Sequence, residues 1–231
     1  MHSPALRGGL AVFLDFDGTI STSDVVDAML ETYADPAWAS VEAEWRAGHI
    51  GSRACLDRQI ALVRASTDDM DALIDSIAID DGFVALLEAC DRAGAPVHIV
   101  SDGFDYCIRR ILARAAPRHE RLVRGLTISA SHLEPERELR WRTAFPFPAL
   151  TCEHGCATCK PAMMRAIAPA GAHTVFVGDG LSDRYAAAHA TTVFAKASLA
   201  EYCADRAIAH TRFDTLGDIA ACIDRDIRIR A

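Results

Sequence analysis

The stretch Val12–Ile20, VFLDFDGTI, closes an apolar run with two carboxylates, Asp15 and Asp17, separated only by Phe16. In an extended segment residues i and i+2 point the same way, so both acids can address one site. Gly18 then allows the chain to turn away sharply. Two like charges this close repel each other, and the pair calls for a positive group between them. Taken alone, an Asp-x-Asp after a strand is equally well a turn closed by an Asx hydrogen bond.

Two further apolar runs end in the same way. APVHIVSD closes on Ser101 and Asp102, and HTVFVGD closes on Asp179, with Asp183 four residues on. Each reads as a buried parallel strand, and TTVFAKA as a weaker fourth. Helix-period segments such as GFVALLEACDRAG alternate with them, which predicts a doubly wound α/β sheet. In such sheets the site lies beyond the carboxyl ends of the strands, where all these polar residues fall. Between Thr22 and Ile79 there is no strand pattern. Four short amphipathic stretches predict a small helical bundle inserted after the first strand, with Met29, Trp38 and Trp45 among its core residues. The expected division is a core of 1–21 plus 80–231 and a helical cap of 22–79. LTISASHLEPERELRWRTAF predicts a β-hairpin turning near Pro135.

Three or four carboxylates at one sheet edge need a cation, and an all-oxygen set suits Mg²⁺ better than zinc. Ser101 and Lys160, the latter just before Pro161 at a helix start, supply the hydroxyl and ammonium that a phosphoryl group requires. One carboxylate can then attack phosphorus while another moves the proton of the departing alcohol.

DFDGTI, Ser101 in IVSDG, Lys160 and GDGLSD, in that order, resemble the four motifs of the haloacid dehalogenase-like phosphatases. The resemblance implies Asp15 as nucleophile and Asp17 as general acid/base. It places Mg²⁺ on Asp15, Asp17 (through its carbonyl) and Asp179, with Asp183 in support. Ser101 and Lys160, with Asp102 and Gly103 beside Ser101, would hold the phosphoryl group. The helical insertion is similar to the cap of the phosphoserine-phosphatase-like branch, and would close over a small phosphate ester. That branch holds its amino acid with a Glu and an Arg; here Asp24 and Gln59, with Arg58 beside it, stand at those places. DFDGTISTSD, ADPAWASVEAEW, VSDGFDYCI and AKASLAEYCADR resemble the methionine-salvage phosphatases, which act on a methylthio keto-enol phosphate. Phosphoethanolamine/phosphocholine phosphatases also carry cysteines before the motif lysine. A receiver-like phospho-acceptor, or a non-catalytic metal- or phosphoester-binding protein, are the readings from other classes.

TCEHGCATCK spaces Cys152, Cys156 and Cys159 so that, with His154, they can meet on one structural Zn²⁺. Free or oxidisable thiols, or a buried turn, stand beside that reading. The other five cysteines are scattered among apolar helical positions, where Cys acts as a small hydrophobe. The 231 residues carry a net charge of −8, which argues against nucleic-acid or anionic-membrane partners. No apolar run approaches the roughly 20 residues of a membrane span. MHSPALRGGLAVFLDF lacks a leader pattern, so the cytoplasm is the expected compartment.

Overall fold

The computed structural model describes residues 9–115, 117–149 and 151–230. The first eight residues of the N-terminal stretch and of the expected core segment, and Ala231 at its end, lie outside that range. The chain runs β1 (Leu10–Leu14), α1 (Val25–Tyr33), α2 (Trp38–Arg46), α3 (Ser52–Ile60), α4 (Thr67–Ser76), α5 (Phe83–Ala93), β2 (Val97–Phe104) and α6 (Asp105–Ala115). It continues through α7 (Glu120–Arg124), β3 (Thr127–Pro135), β4 (Trp141–Ala144), α8 (Lys160–Ile167), β5 (His173–Gly178) and α9 (Arg184–Ala187). β6 (Thr192–Ala195), α10 (Ala197–Asp205), β7 (Thr211–Arg212) and α11 (Leu216–Arg230) complete it. The strands form one sheet in the order β4-β3-β2-β1-β5-β6-β7, parallel except for β4.

β1 lies at the centre, between β2 and β5, which explains its unbroken apolar composition. Its side chains alternate between two apolar layers. Val12 and Leu14 join the larger one with Phe83, Leu86 and Ile99. Ala11 and Phe13 join the smaller one with Val100, Phe176 and Leu199. The predicted hairpin is present as β3–β4, and β3 also pairs in parallel with β2, so the hairpin extends the main sheet. β7, only two residues long, carries no readable strand pattern.

Helices α1–α4 occupy the segment that follows β1. Thr22 N–H donates to the Ala78 carbonyl and Asp80 N–H to that of Ile20, so the segment leaves and returns at adjacent points. Asp24 caps α1, and Ser66 with Asp69 forms a capping box on α4. Met29, Leu30, Ile60, Met70 and Ile74 are buried in the larger apolar layer itself, so these helices share a core with the sheet. Trp141 joins them from the hairpin, its indole N–H donating to the Ala65 carbonyl at 3.0 Å.

Asp80 seals the return point. Its Oδ1 accepts the N–H of Gly82 at 2.8 Å and that of Leu216 at 3.1 Å, tying α5 to α11. Asp80→Ala leaves one buried and one partly buried donor without this partner and is expected to cost about 2–3 kcal/mol. Urea unfolding checks this; a loss below about 0.5 kcal/mol would show that the two bonds are dispensable.

Candidate active site

Asp15 follows β1, Ser101 lies within β2 and Asp179 follows β5, so neighbouring strands deliver three of the polar groups to one edge. The Asp15 carboxylate accepts its neighbour's amide, Phe16 N–H, at 2.8 Å through Oδ1. Its Oδ2 lies 2.9 Å from Lys160 Nζ. The same ammonium donates to Asp183 Oδ1 at 2.5 Å and to Ser182 Oγ at 3.2 Å. Asp183 Oδ2 accepts the amides of Asp179 and Gly180 at 3.0 and 3.1 Å. Lys160 is only 2% exposed and Asp183 fully buried. Lys160 therefore sits beneath the site, bridging two acids, and does not line the open cavity above it.

Asp17 faces that cavity from the other side. Its Oδ1 accepts Val25 N–H at 3.1 Å, and Ser101 Oγ–H donates to its Oδ2 at 3.4 Å. Gly103 N–H donates to Ser101 Oγ at 3.0 Å. A side chain at Gly103 would collide with the Asp17 carboxylate, so this approach admits only glycine. Asp102, on the same strand, accepts Thr158 N–H at 2.9 Å and the hydroxyl of Ser52, which in turn accepts Ala157 N–H at 3.0 Å. Its carboxylate is thus engaged in joining α3 to the loop before Lys160.

One carboxylate oxygen each of Asp15, Asp179 and Asp183 lie within 4.8 Å of one another. Burial pushes the Asp15 carboxyl well above the usual range, and Asp183 adds to that against the pull of Lys160. Burial and Asp183 raise Asp179 to about 6. Burial raises Asp17 as well, with Asp24 the next contributor. Burial opposes charge on Lys160, but Asp15 and Asp183 outweigh it and hold its proton more tightly than usual. One buried ammonium among this many acids leaves uncompensated negative charge. An all-oxygen donor set with that surplus fits Mg²⁺.

The cavity above encloses about 200 Å³ and is lined from both sides of the chain's fold. Asp15, Asp17, Ser101, Asp102, Gly103, Asp179 and Ser182 form its floor. Its roof comes from α1–α3 and their flanks, including Asp24, Asp27, Glu42, Trp45, Leu56 and Gln59. Trp45, expected in the bundle core, is a cavity wall instead, whereas Met29 is core and Trp38 packs against it. Arg58 is turned away from the cavity: it is 46% exposed and makes a two-pronged ion pair with Glu44 at 2.7 and 2.8 Å. The substrate role expected of it has no geometric basis, while its neighbour Gln59 does face the cavity.

Sequence reasoning missed Thr19, whose buried hydroxyl donates to Asp179 Oδ1 at 2.6 Å. Its place two residues after Asp17, on the same turn, was the available signal. Glu42 and Asp27 were also missed, because exposed-looking acids on short helices carry no pattern.

The zinc expectation gains no support. Among the described residues, the three carboxylates above are the one group of three or more His, Cys, Asp or Glu side chains whose ligand atoms all lie within 4.8 Å of one another; the Cys152 thiol does lie within hydrogen-bonding reach of Cys156 and Cys159. His154 instead stacks flat on Tyr185, ring centroids 3.8 Å apart. All three thiols are free. The loop's rigidity comes from backbone docking, with Gly155 C=O accepting Arg53 N–H at 3.1 Å.

The raised carboxyls set a pH dependence. Between about pH 4 and 6 the metal-free folded state keeps protons that the unfolded chain, with ordinary carboxyls, has released. Its stability therefore falls as pH rises through that window. Mg²⁺ takes the deprotonated form, so its stabilisation should grow over the same window. Melting temperatures with Mg²⁺ and with chelator at about pH 5 and about pH 7 check this. A larger Mg²⁺ increment at the higher pH is expected; an equal or smaller one contradicts the assignment.

The haloacid dehalogenase-like hydrolase family matches residues 12–188. The chain is 25% identical to the 2-hydroxy-3-keto-5-methylthiopentenyl-1-phosphate phosphatase of Geobacillus thermodenitrificans (strain NG80-2), over 95% of this chain and 98% of that one. It is 27% identical to the protein of the same name from Exiguobacterium sp. (strain ATCC BAA-1283 / AT1b), over 91% of this chain and 95% of that one. A substrate-bound phosphoserine phosphatase superposes with a TM-score of 0.62 at 20% identity, covering 85% of this chain and 90% of the other. The phosphoserine phosphatase from T. onnurineus gives 0.68 at 12% identity, covering 96% and 98%. The family match covers most of the chain, which therefore belongs to the haloacid dehalogenase-like hydrolase family, as an enzyme of its phosphatase kind.

Proposed function

We propose that the protein is a Mg²⁺-dependent phosphomonoesterase that hydrolyses a small-molecule phosphate ester through an aspartyl-phosphate on Asp15. The observation that carries this is the buried Asp15–Asp179–Asp183 group opening onto a cavity that Asp17 and Ser101 face from the opposite side. Asp15, Asp179 and the Asp17 carbonyl would hold Mg²⁺, with Asp183 and Thr19 orienting them. When bound, the ion supplies neutralisation of phosphoryl oxygens and of the crowded acids.

The residues of this chain divide the remaining work. Asp15 attacks phosphorus through a carboxylate oxygen, and the ester oxygen leaves with the bonding pair. Asp17, whose carboxyl burial pushes above the usual range, gives its proton to that oxygen, and the alcohol departs. Asp17, now a carboxylate, takes a proton from water as the water attacks phosphorus, releasing phosphate and restoring Asp15. Ser101 orients the phosphoryl group, and Lys160 holds Asp15 in line while offsetting its charge. Segment 22–79 serves as the cap that confines the leaving group, and its roof residues exclude bulk water.

The methylthio keto-enol phosphate named for the relatives is the substrate we place before phosphoserine. Val26, Trp45 and Leu56 give the roof an apolar face suited to a thioether chain. Arg46, the one cation among the described lining residues, gives its Nε to Glu42 at 2.8 Å and is 66% exposed, so no buried cation of the lining awaits a substrate carboxylate. The cytoplasm is the compartment we assign; no helix among the described residues is long and apolar enough to cross a membrane.

Asp15→Asn should abolish turnover while the fold persists. Asp17→Asn should slow it by ~10²–10⁴-fold. Steady-state assays with p-nitrophenyl phosphate and Mg²⁺ measure both; substantial activity in Asp15→Asn refutes the mechanism. Multiple turnovers by the wild type also separate an enzyme from a receiver-like phospho-acceptor. Specificity constants for the methylthio ester and phosphoserine decide between substrates, and a clear preference for phosphoserine refutes the order given.

A further inference from the structure

We infer that the loop before Lys160 is a thiol-oxidation site: hydroperoxides oxidise Cys152, Cys159 resolves the product to a disulfide, and the new bond displaces Lys160 and lowers turnover. The thiol chemistry stands without the phosphomonoesterase reading; its effect on turnover rests on that reading.

Cys152, Cys156 and Cys159 line one cavity of about 170 Å³ together with Arg165 and His189, and none of the three lines the catalytic cavity. The Cys152 thiol lies within hydrogen-bonding reach of both other thiols, and the backbone amides of His154 and Cys156 donate to it. Four donors thus converge on one sulfur, which is the surrounding a thiolate needs. Burial opposes charge on that sulfur, but the amides and thiols outweigh it and bring Cys152 below the ordinary thiol range. Cys152 is half-buried between exposed Thr151 and Glu153, so a small oxidant reaches it. Elsewhere burial works unopposed. It pushes Cys55 and Cys90 up to about 12, and raises Cys107 and Cys203 as well, which makes them poor nucleophiles.

The two neighbours of Cys152 differ. Burial raises the Cys159 thiol, while the Ala162 amide and Arg165 work against that rise. Burial raises Cys156 too, and there the Asp102 carboxylate adds to it. Cys159 is therefore the better resolving thiol. In the first step the Cys152 thiolate attacks one oxygen of hydrogen peroxide and the O–O bond breaks. Hydroxide leaves, takes up the proton that Cys152 released, and a sulfenic acid remains. Cys159 gives up its proton and attacks the Cys152 sulfur; the S–O bond breaks, and hydroxide leaves with that proton as water. Two thiols are oxidised to one disulfide, and one peroxide is reduced to two waters.

Cys159 N–H donates to Phe147 C=O, and Cys159 C=O accepts Met163 N–H, both at 3.0 Å, so this residue fixes the first turn of α8. An S–S bond draws two sulfurs from hydrogen-bonding reach to covalent distance. The loop must move with them, and Lys160 is the next residue. A misplacement of about 1 Å at such a group is expected to lower turnover at least about tenfold.

The test treats the full-length protein with hydrogen peroxide, blocks the remaining thiols with N-ethylmaleimide, and maps the unreduced protein by mass spectrometry after cleavage at Glu153. A Cys152–Cys159 disulfide with Cys156 alkylated is expected. Turnover of p-nitrophenyl phosphate with Mg²⁺ should fall at least about tenfold and return with dithiothreitol. Cys152→Ser and Cys159→Ser should keep their untreated activity in peroxide, whereas Cys156→Ser should lose it as the wild type does. Each variant is compared with its own untreated sample, so a partial loss of folded protein does not enter. Zinc held by the loop in protein purified without chelator overturns the inference. So does oxidation of Cys152 no faster than that of Cys222, a disulfide to Cys156 instead, or a mapped disulfide with turnover unchanged. No turnover by the reduced wild type overturns the phosphomonoesterase reading, and the disulfide map then decides the thiol site by itself.

Discussion

The ammonium of Lys160, buried between Asp15 and Asp183, is the interaction on which the site depends. It joins the end of β1, the start of α8 and the turn after β5. Removing one member of such a group strands an uncompensated charge in the interior, which typically costs about 3–5 kcal/mol. Lysine suits this place because it presents a compact point charge with three donors, here directed to Asp15, Asp183 and Ser182. It neutralises the nucleophile only in part, since Asp15 and Asp179 still hold protons above the ordinary range. That deficit is what a divalent cation would offset, in the fold as well as in the chemistry.

The cysteine loop acquires its meaning from the same ammonium. Lys160 N–H donates to Thr158 C=O at 2.8 Å, and Thr158 N–H donates to Asp102 on β2. Asp102 also takes the Ser52 hydroxyl, and Gly155 C=O takes Arg53 N–H. The position of α3 is thereby coupled to the residue beneath the nucleophile. The helical segment and the sheet also share one apolar layer, so roof and floor are parts of one packed body.

What was legible in the sequence follows from period and order. An unbroken apolar strand ending in Asp15 and Asp17 can belong only to the middle of a parallel sheet, and two more such strands brought Ser101 and Asp179 to the same edge. The converging acids were therefore readable, and so was the crowding of their charge. The roof was not. Trp45 has the spacing of a core residue on α2, yet it lines the cavity. Arg58 and Gln59 are adjacent in sequence but lie 100° apart on α3, and the sequence does not say which of them faces inward. Cys152, Cys156 and Cys159 have ligand-like spacing and the Cys152 thiol meets the other two, but His154, the expected fourth ligand, is stacked on Tyr185.

The central claim is that Asp15, poised on Lys160, becomes covalently phosphorylated in each cycle. Acid-quenching the Mg²⁺-loaded wild-type enzyme during turnover, followed by peptide mass spectrometry, tests it most directly. The account predicts one phosphoryl group on the peptide spanning Asp15, located to Asp15 itself and discharged when the quench follows substrate exhaustion. Phosphoryl on another residue, or continued turnover with none trapped even in Asp17→Asn, would contradict it.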